Sequence, residues 1–296
     1  MSGNPVYFFI QFLNGLSLGM NLFVIAAGLT LILGVLRVLN FAHGAFFLIG
    51  GYVTYFLVDV LARAPGAFWL AVGGATAALA IFAFVIERLF LRHLYERDHV
   101  YQLLFTFALV LLIGDMLKAG WGTNVLSVPY PTGFDGATNL GITYYPTYRL
   151  LLCVIGFVTA FALWFVVNRT RWGRVVRAAT QDREMLSALG LNVPRIYMLV
   201  FVTGSALAGL GGALASPVLS VYPGLDAQII VECFIIVIIG GLGSLGGAFL
   251  GAIILGQLTA FGILLVPAFE LVLIYVMMVG VLMFRPWGLL GRQEAR

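Results

Sequence analysis

Long apolar runs, almost free of charge, follow one another from end to end of this chain, and that repetition leaves few folds open. The runs fall at about 8–36, 41–62, 67–87, 100–120, 148–168, 196–219, 228–242, 247–265 and 268–284. Most reach the roughly 20 residues that a helix needs to cross a hydrocarbon core about 30 Å thick. They are continuous rather than alternating, which favours helices over membrane strands, and a helix satisfies its own backbone in lipid. Composition agrees: 62% of the 296 residues are hydrophobic and 9% charged, against about 25% charged in a soluble domain. The expectation is an all-α fold, a polytopic transmembrane helix bundle forming one domain over 1–296. It has nine spans, or eight if the glycine-broken region 228–265 does not cross twice.

Charge sets the orientation. No Lys or Arg precedes Arg37, so the positive region of a cleaved signal is missing and the first run is expected to stay as a membrane helix. Arg88, Arg92 and Arg97 follow the third run. Six arginines, from Arg169 to Arg195, fill the segment about 169–195, and Arg285, Arg292 and Arg296 lie in the tail. The stretch 121–148 holds no Lys or Arg. The positive-inside bias therefore puts the arginine clusters and the C-terminus in the cytoplasm and the loop 121–148 outside. Two runs separate the first two clusters, so the parity agrees. The net charge of +4 is accounted for by this sidedness, and nothing points to nucleic acid. Cys153 and Cys233 sit inside apolar runs and read as packing residues.

Residues 240–247 read GGLGSLGG, and Gly241, Gly243 and Gly246 match the spacing of a dinucleotide fingerprint. That match has no soluble strand–helix unit around it, and it lacks the Gly-Lys-Ser/Thr ending of a phosphate loop. Any ATP hydrolysis must occur on another chain. Glycine permits a helix break, and broken backbone at membrane depth survives only when buried in protein or lining a wet cavity. Gly240, Gly241, Gly243 and Ser244 are thus candidates for a pathway wall or for a structural turn. Gly15–Gly19 and Gly243–Gly247–Gly251 have the spacing of close helix contacts.

Charge at membrane depth is costly and is normally paired or functional. Glu232, eight residues before the glycine break, could face a pathway and meet an ammonium group, or be protonated or paired. Asp115 and Lys118, spaced i,i+3, read as a local pair, and Asp226 and Glu270 as residues near span ends that reach water. His43 and Asn40 at the first cytoplasmic turn read as hydrogen-bonded groups closing a helix junction, with a proton relay through His43 as the alternative. His43, His93 and His99 lack metal-ligand spacing, and no catalytic set is expected.

Three stretches resemble the LivH-type permease of branched-chain amino-acid ABC importers. They are GLTLILGVLRVLNFAHGAFFLIGGY (28–52), GGLGSLGGAFLGAIILG (240–256) and LMFRPWGLLG (282–291), at both ends of the chain. The resemblance implies an inner-membrane assembly in which a second permease subunit shares one pathway. Two cytoplasmic ATPase subunits carry ATP and magnesium, and a periplasmic binding protein delivers the substrate. No cofactor is expected on this chain. Branched-chain amino acids are the default substrate, with other amino acids, amides, urea, and aromatic or carboxylic acids left open.

The segment 177–192 is similar to the part of such permeases that engages the ATPases. The resemblance carries that coupling role onto Arg177, Asp182, Ala188 and Gly190. Val175, Ala179, Leu186 and Leu189 can share one helix face, with Arg174, Arg177, Gln181 and Arg183 elsewhere, and Gly190 can end the helix. Without the resemblance, a helix held by anionic lipid would serve as well. The loop 121–148, rich in Pro and Tyr, could receive the binding protein or be an interfacial cap. The rival function is an ion-coupled secondary transporter, for which Glu232 beside the glycine break is the one hint.

Overall fold

The apolar runs become helices with caps where the sequence supplies them. The computed structural model describes residues 5–62, 64–95, 97–181 and 183–291. The helices are α1 Pro5–Leu36, α2 Ala42–Val60, α3 Ala67–Leu94, α4 His99–Trp121, α5 Thr147–Arg169, α6 Arg171–Gln181, α7 Arg183–Ala188, α8 Val193–Ala215, α9 Leu225–Gly240, α10 Leu245–Leu265 and α11 Glu270–Phe284. Asp98 caps α4 through Val100 N at 3.2 Å, Asn192 caps α8 through Arg195 N at 3.0 Å, and Ser244 caps α10 through Gly247 N at 3.1 Å. Among the described residues, seven helices (α1–α5, α8 and α10) are long and apolar enough to cross a bilayer. The last runs form the shorter α9 and α11, of 16 and 15 residues. At ~1.5 Å per residue, α9 is only about 24 Å long. The chain is a multi-pass helical membrane protein.

One departure from all-helix lies in the loop 121–148, where β1 (Ala137–Asn139) pairs antiparallel with β2 (Tyr144–Pro146). Asn139 Oδ1 accepts from Gly141 N at 2.8 Å in the turn, and Gly141 has φ +85°. Three-residue strands carry too little alternation to be read from sequence. A second tie, between Leu126 and Val221, fastens this loop to the α8–α9 connection.

The bundle is built around α1, which is buried over most of its length, and α8. Small residues let their backbones meet. A Cβ at Gly28 would fall 3.0 Å from the carbonyl carbon of Gly204, and one at Gly50 would fall 2.7 Å from the Cα of Gly209. Gly15 and Gly19 likewise approach Gln257 and Ala252 on α10, so the glycine pairs read from sequence pack within the chain. Outward-facing Leu104, Leu111 and Met116 of α4, and Val158 and Phe161 of α5, are all more than half exposed. Such surfaces suit lipid. The bundle has two distinct ends. The basic end gathers the arginine-bearing ends of α3, α5 and α8, while the loop end carries the β hairpin.

Candidate functional site

The three motif-bearing stretches, far apart in sequence, meet at the basic end. Gly34 from the first approaches Gly243 from the second, with room for no Cβ (2.8 Å to the Gly243 Cα). The third folds over the same turn: Leu289 N donates to Ile239 O at 2.8 Å and Leu290 N to Gly240 O at 3.0 Å. Gly241, at φ +102°, lies against Gly288 and Gly291. Gly240 and Gly241 are buried, Gly243 is exposed and Ser244 is half-buried as the α10 cap. The glycine run is therefore a tight backbone junction between α9 and α10, clamped by the C-terminal motif.

His43 and Asn40, at the turn between α1 and α2, are both fully buried. His43 Nε2 is 2.9 Å from Ile25 O. A carbonyl only accepts, so Nε2 carries the proton and the ring ties α2 to α1. Gly28, beside the ring Cε1, leaves it the space. The helix junction is closed by the Asn40 backbone carbonyl, which accepts from His43 N at 3.3 Å. The Asn40 amide itself makes no hydrogen bond among the described residues, correcting the expectation that its side chain closes the turn.

Polar groups on α9 divide between its two sides. Asp226 is 9% exposed, and its backbone carbonyl packs on Gly44, so the first turn of α9 lies against α2. Gln228 and Glu232, one turn apart, occupy the other side, with Gln228 Nε2 donating to Glu232 Oε1 at 2.8 Å. Val231 beside them is 40% exposed. An amide and a carboxylate on an open helix face are poorly matched to hydrocarbon and well matched to a wet path or a protein partner. The Glu270 side chain lies outside the described residues. Asp115 and Lys118 form the expected pair, at 3.4 Å and well exposed.

At the basic end, α6 and α7 stand between the ends of α5 and α8. Asp182 lies outside the described residues. Gly173, Val176 and Ala179 of α6 and Leu186 of α7 are buried, while Arg171, Arg174 and Arg177 point outward. Arg177 Nη1 donates to Val167 O and, at 3.2 Å, to Asn168 Oδ1, bracing α6 on α5. The buried face runs through Val176 rather than Val175. Leu189, expected on it, is 70% exposed, and Met185 is 58% exposed. Val176, Ala179 and Leu186 share the buried side at helical spacing, and Leu189 lies past Ala188, the last residue of α7. Gly190, at φ +79°, ends α7 as expected: its N donates to Ser187 O at 3.0 Å and Leu191 N to Leu186 O at 3.1 Å. Met185, Ala188 and Leu189 thus form an outward apolar knob with the arginines of α6 beside it.

Two features escaped the sequence reading. Glu87, 1% exposed, sits where α3 loosens into a π turn (Glu87–Leu91) and accepts from Tyr95 Oη at 3.3 Å. Burial pushes the Tyr95 phenol well above its ordinary value, so it stays a donor. At the loop end, Arg149 Nη1 and Tyr145 Oη both donate to Asn14 Oδ1, at 2.7 and 3.0 Å. Burial raises the Tyr145 phenol, and Arg149 opposes this only in part. Arg149 lies one residue past the loop that holds no Lys or Arg, and drew no notice as a lone cation. Among the described residues no group of three His, Cys, Asp or Glu side chains is placed to hold a metal.

A helical membrane bundle with a glycine-clamped break and an outward knob between two spans belongs to the class of transport permeases. Residues 11–282 match the family described as branched-chain amino acid transport system, permease component, and the chain belongs to that family. It is 29% identical to the high-affinity branched-chain amino acid transport system permease protein BraD of Pseudomonas aeruginosa, over 98% of each chain. It is also 29% identical to the LivH permease protein of Escherichia coli (strain K12), over 99% of each chain. The LivM permease protein of the same strain is 26% identical over 78% of this chain and 59% of its own. No solved structure matches. The chain is a LivH-type transport subunit, not an enzyme.

Proposed function

We propose that this chain is one of two permease subunits of an ABC importer that takes up branched-chain amino acids across the inner membrane. The observation that carries the reading is the outward apolar knob of α7. Met185 and Leu189 stand in the open at the basic end, on a short helix fixed at one side by the Leu186 contact and at its end by Gly190. A stand-alone transporter has no use for such a surface, whereas a groove on an ATPase subunit would cover it. Arg177, Asp182, Ala188 and Gly190 then belong to the coupling element, and ATP and magnesium are held by two partner ATPases.

The rest of the assembly follows from the same orientation. The basic end and the C-terminus face the cytoplasm. The hairpin loop receives a periplasmic binding protein, and a LivM-like second permease packs along α9. Its Gln228–Glu232 face then borders the shared pathway, while Asn40, His43, Gly240, Gly241, Gly243 and Ser244 hold the junction behind it. The substrate class is that of the relatives' names. The test is a pull-down of the ATPases by the permease pair: Leu189→Asp should abolish association while the variant still inserts and purifies, and retained association would refute the coupling role.

A further inference from the structure

A groove at the basic end lies between the last turns of α3 and the start of α8, with a volume of about 90 Å³. That is well under the ~300–1,000 Å³ usual for small-molecule sites, so it takes a single chemical group rather than a whole ligand. Arg88, Arg92 and Arg195 all line it, and Glu87 is the one carboxylate in the lining. Three guanidiniums against one carboxylate leave an excess of two positive charges. None of the three arginine side chains makes a hydrogen bond or ion pair among the described residues. Glu87 is shut in at 1% exposure, and Tyr95 Oη already donates to one of its oxygens. Arg88 lies in the π turn and Arg92 just past it, about one turn apart, and like charges at that spacing oppose each other. Asn192, the N-cap of α8, also lines the groove, which adds the positive end of the α8 dipole. Unpaired guanidiniums gathered around a small concavity suit an anion with several oxygens.

We infer that this groove holds the phosphate of an anionic phospholipid at the membrane surface. Its margin is apolar and open: Leu89 and Phe90, in the same turn of α3, and Leu199, beside Met198 of the lining, are all exposed. The guanidiniums meet the phosphate oxygens, and the acyl chains run along that margin. A free phosphate ion or a carboxylate from a partner protein would match the charge but leave the apolar margin bare. A zwitterionic headgroup would bring its own cation into a groove already in positive excess, so a lipid of net negative charge is selected. The bound lipid ties α3 to α8 and relieves the repulsion between Arg88 and Arg92. Assignment to the cytoplasmic leaflet rests on the proposed orientation; the site itself does not.

The experiment titrates the full-length chain in a non-ionic detergent, alone and with the ATPases, and reads bound lipid by native mass spectrometry. Phosphatidylglycerol should bind about tenfold more tightly than phosphatidylcholine with the same acyl chains. Arg92→Gln and Arg195→Gln should each weaken its binding about fivefold, the order for one basic side chain at an anionic surface. Arg92→Lys should keep part of the affinity. Arg171→Gln, on the outward side of α6, should stay within about twofold of wild type. Met198→Phe narrows the groove while keeping every charge and should also weaken binding, which keeps the test sharp if an arginine variant does not fold. The inference is overturned if phosphatidylcholine or inorganic phosphate binds as tightly as phosphatidylglycerol. It is overturned if Arg171→Gln weakens binding as much as Arg92→Gln does, since the attraction would then be diffuse charge. It is also overturned if the groove variants leave lipid binding unchanged and weaken ATPase association instead, since the arginines would then hold an acidic side chain of that subunit. Failure of the ATPases to associate with the wild-type chain rejects the importer reading alone, because the lipid titration of the chain by itself still decides the site.

Discussion

Leu189 offers a magnitude that the structure fixes. The side chain is 70% exposed in the isolated subunit, and full burial of a leucine contributes about 1.5–3 kcal/mol. Covering the exposed part in an ATPase groove is thus worth about 1–2 kcal/mol. Leu189→Ala should weaken ATPase association about 5- to 30-fold while leaving the melting temperature of the subunit unchanged. Leu186, one turn back and 4% exposed, is the matched control. Its truncation removes contacts inside the subunit and should cost stability, about 2–5 kcal/mol for a buried leucine. The assay is biolayer interferometry of purified ATPase on the nanodisc-held permease pair, with thermal melts of each variant. Affinity within twofold of wild type for Leu189→Ala would refute the docking argument, as would a melting shift as large as that of Leu186→Ala.

Other expectations follow from the same geometry. Gly50→Leu should prevent correct folding, because its Cβ would fall 2.7 Å from the Gly209 Cα, whereas Gly114→Ala, facing open space, should be neutral; membrane yield and size-exclusion profile report both. Gly190→Ala meets no neighbour but must hold φ +79°, which costs about 1–2 kcal/mol. It should impair ATPase stimulation more than Gly190→Asn does. His43→Leu deletes the tie to Ile25 O and should lower the melting temperature without altering ATPase affinity. Removing the exposed Asp115–Lys118 pair should leave the melting temperature unchanged within error.

Hydropathy made the spans legible, because a lipid solvent writes its demand for continuous apolar length directly into the sequence. The helix stop at Gly190 was legible for the same local reason, a residue tolerant of φ +79°. Burial face was harder. Val176 rather than Val175 points inward, one residue away from the position that hydrophobic spacing favoured. The packing of the Asp226 backbone carbonyl on Gly44 of α2 joins residues 182 positions apart and leaves no local trace. Arg149 and Asn14 are 135 residues apart, and no local pattern predicts such a contact. The three motif stretches did reveal the family, but their convergence around Gly34, Gly243 and Gly291 exists only in three dimensions.

The most direct test of the central claim is leucine uptake into proteoliposomes containing both permeases, both ATPases and the binding protein. The account predicts accumulation that requires ATP hydrolysis and the binding protein, and that is lost in Leu189→Asp although the variant inserts normally. Uptake that persists without the ATPases and follows an imposed ion gradient would contradict it and turn attention to Glu232.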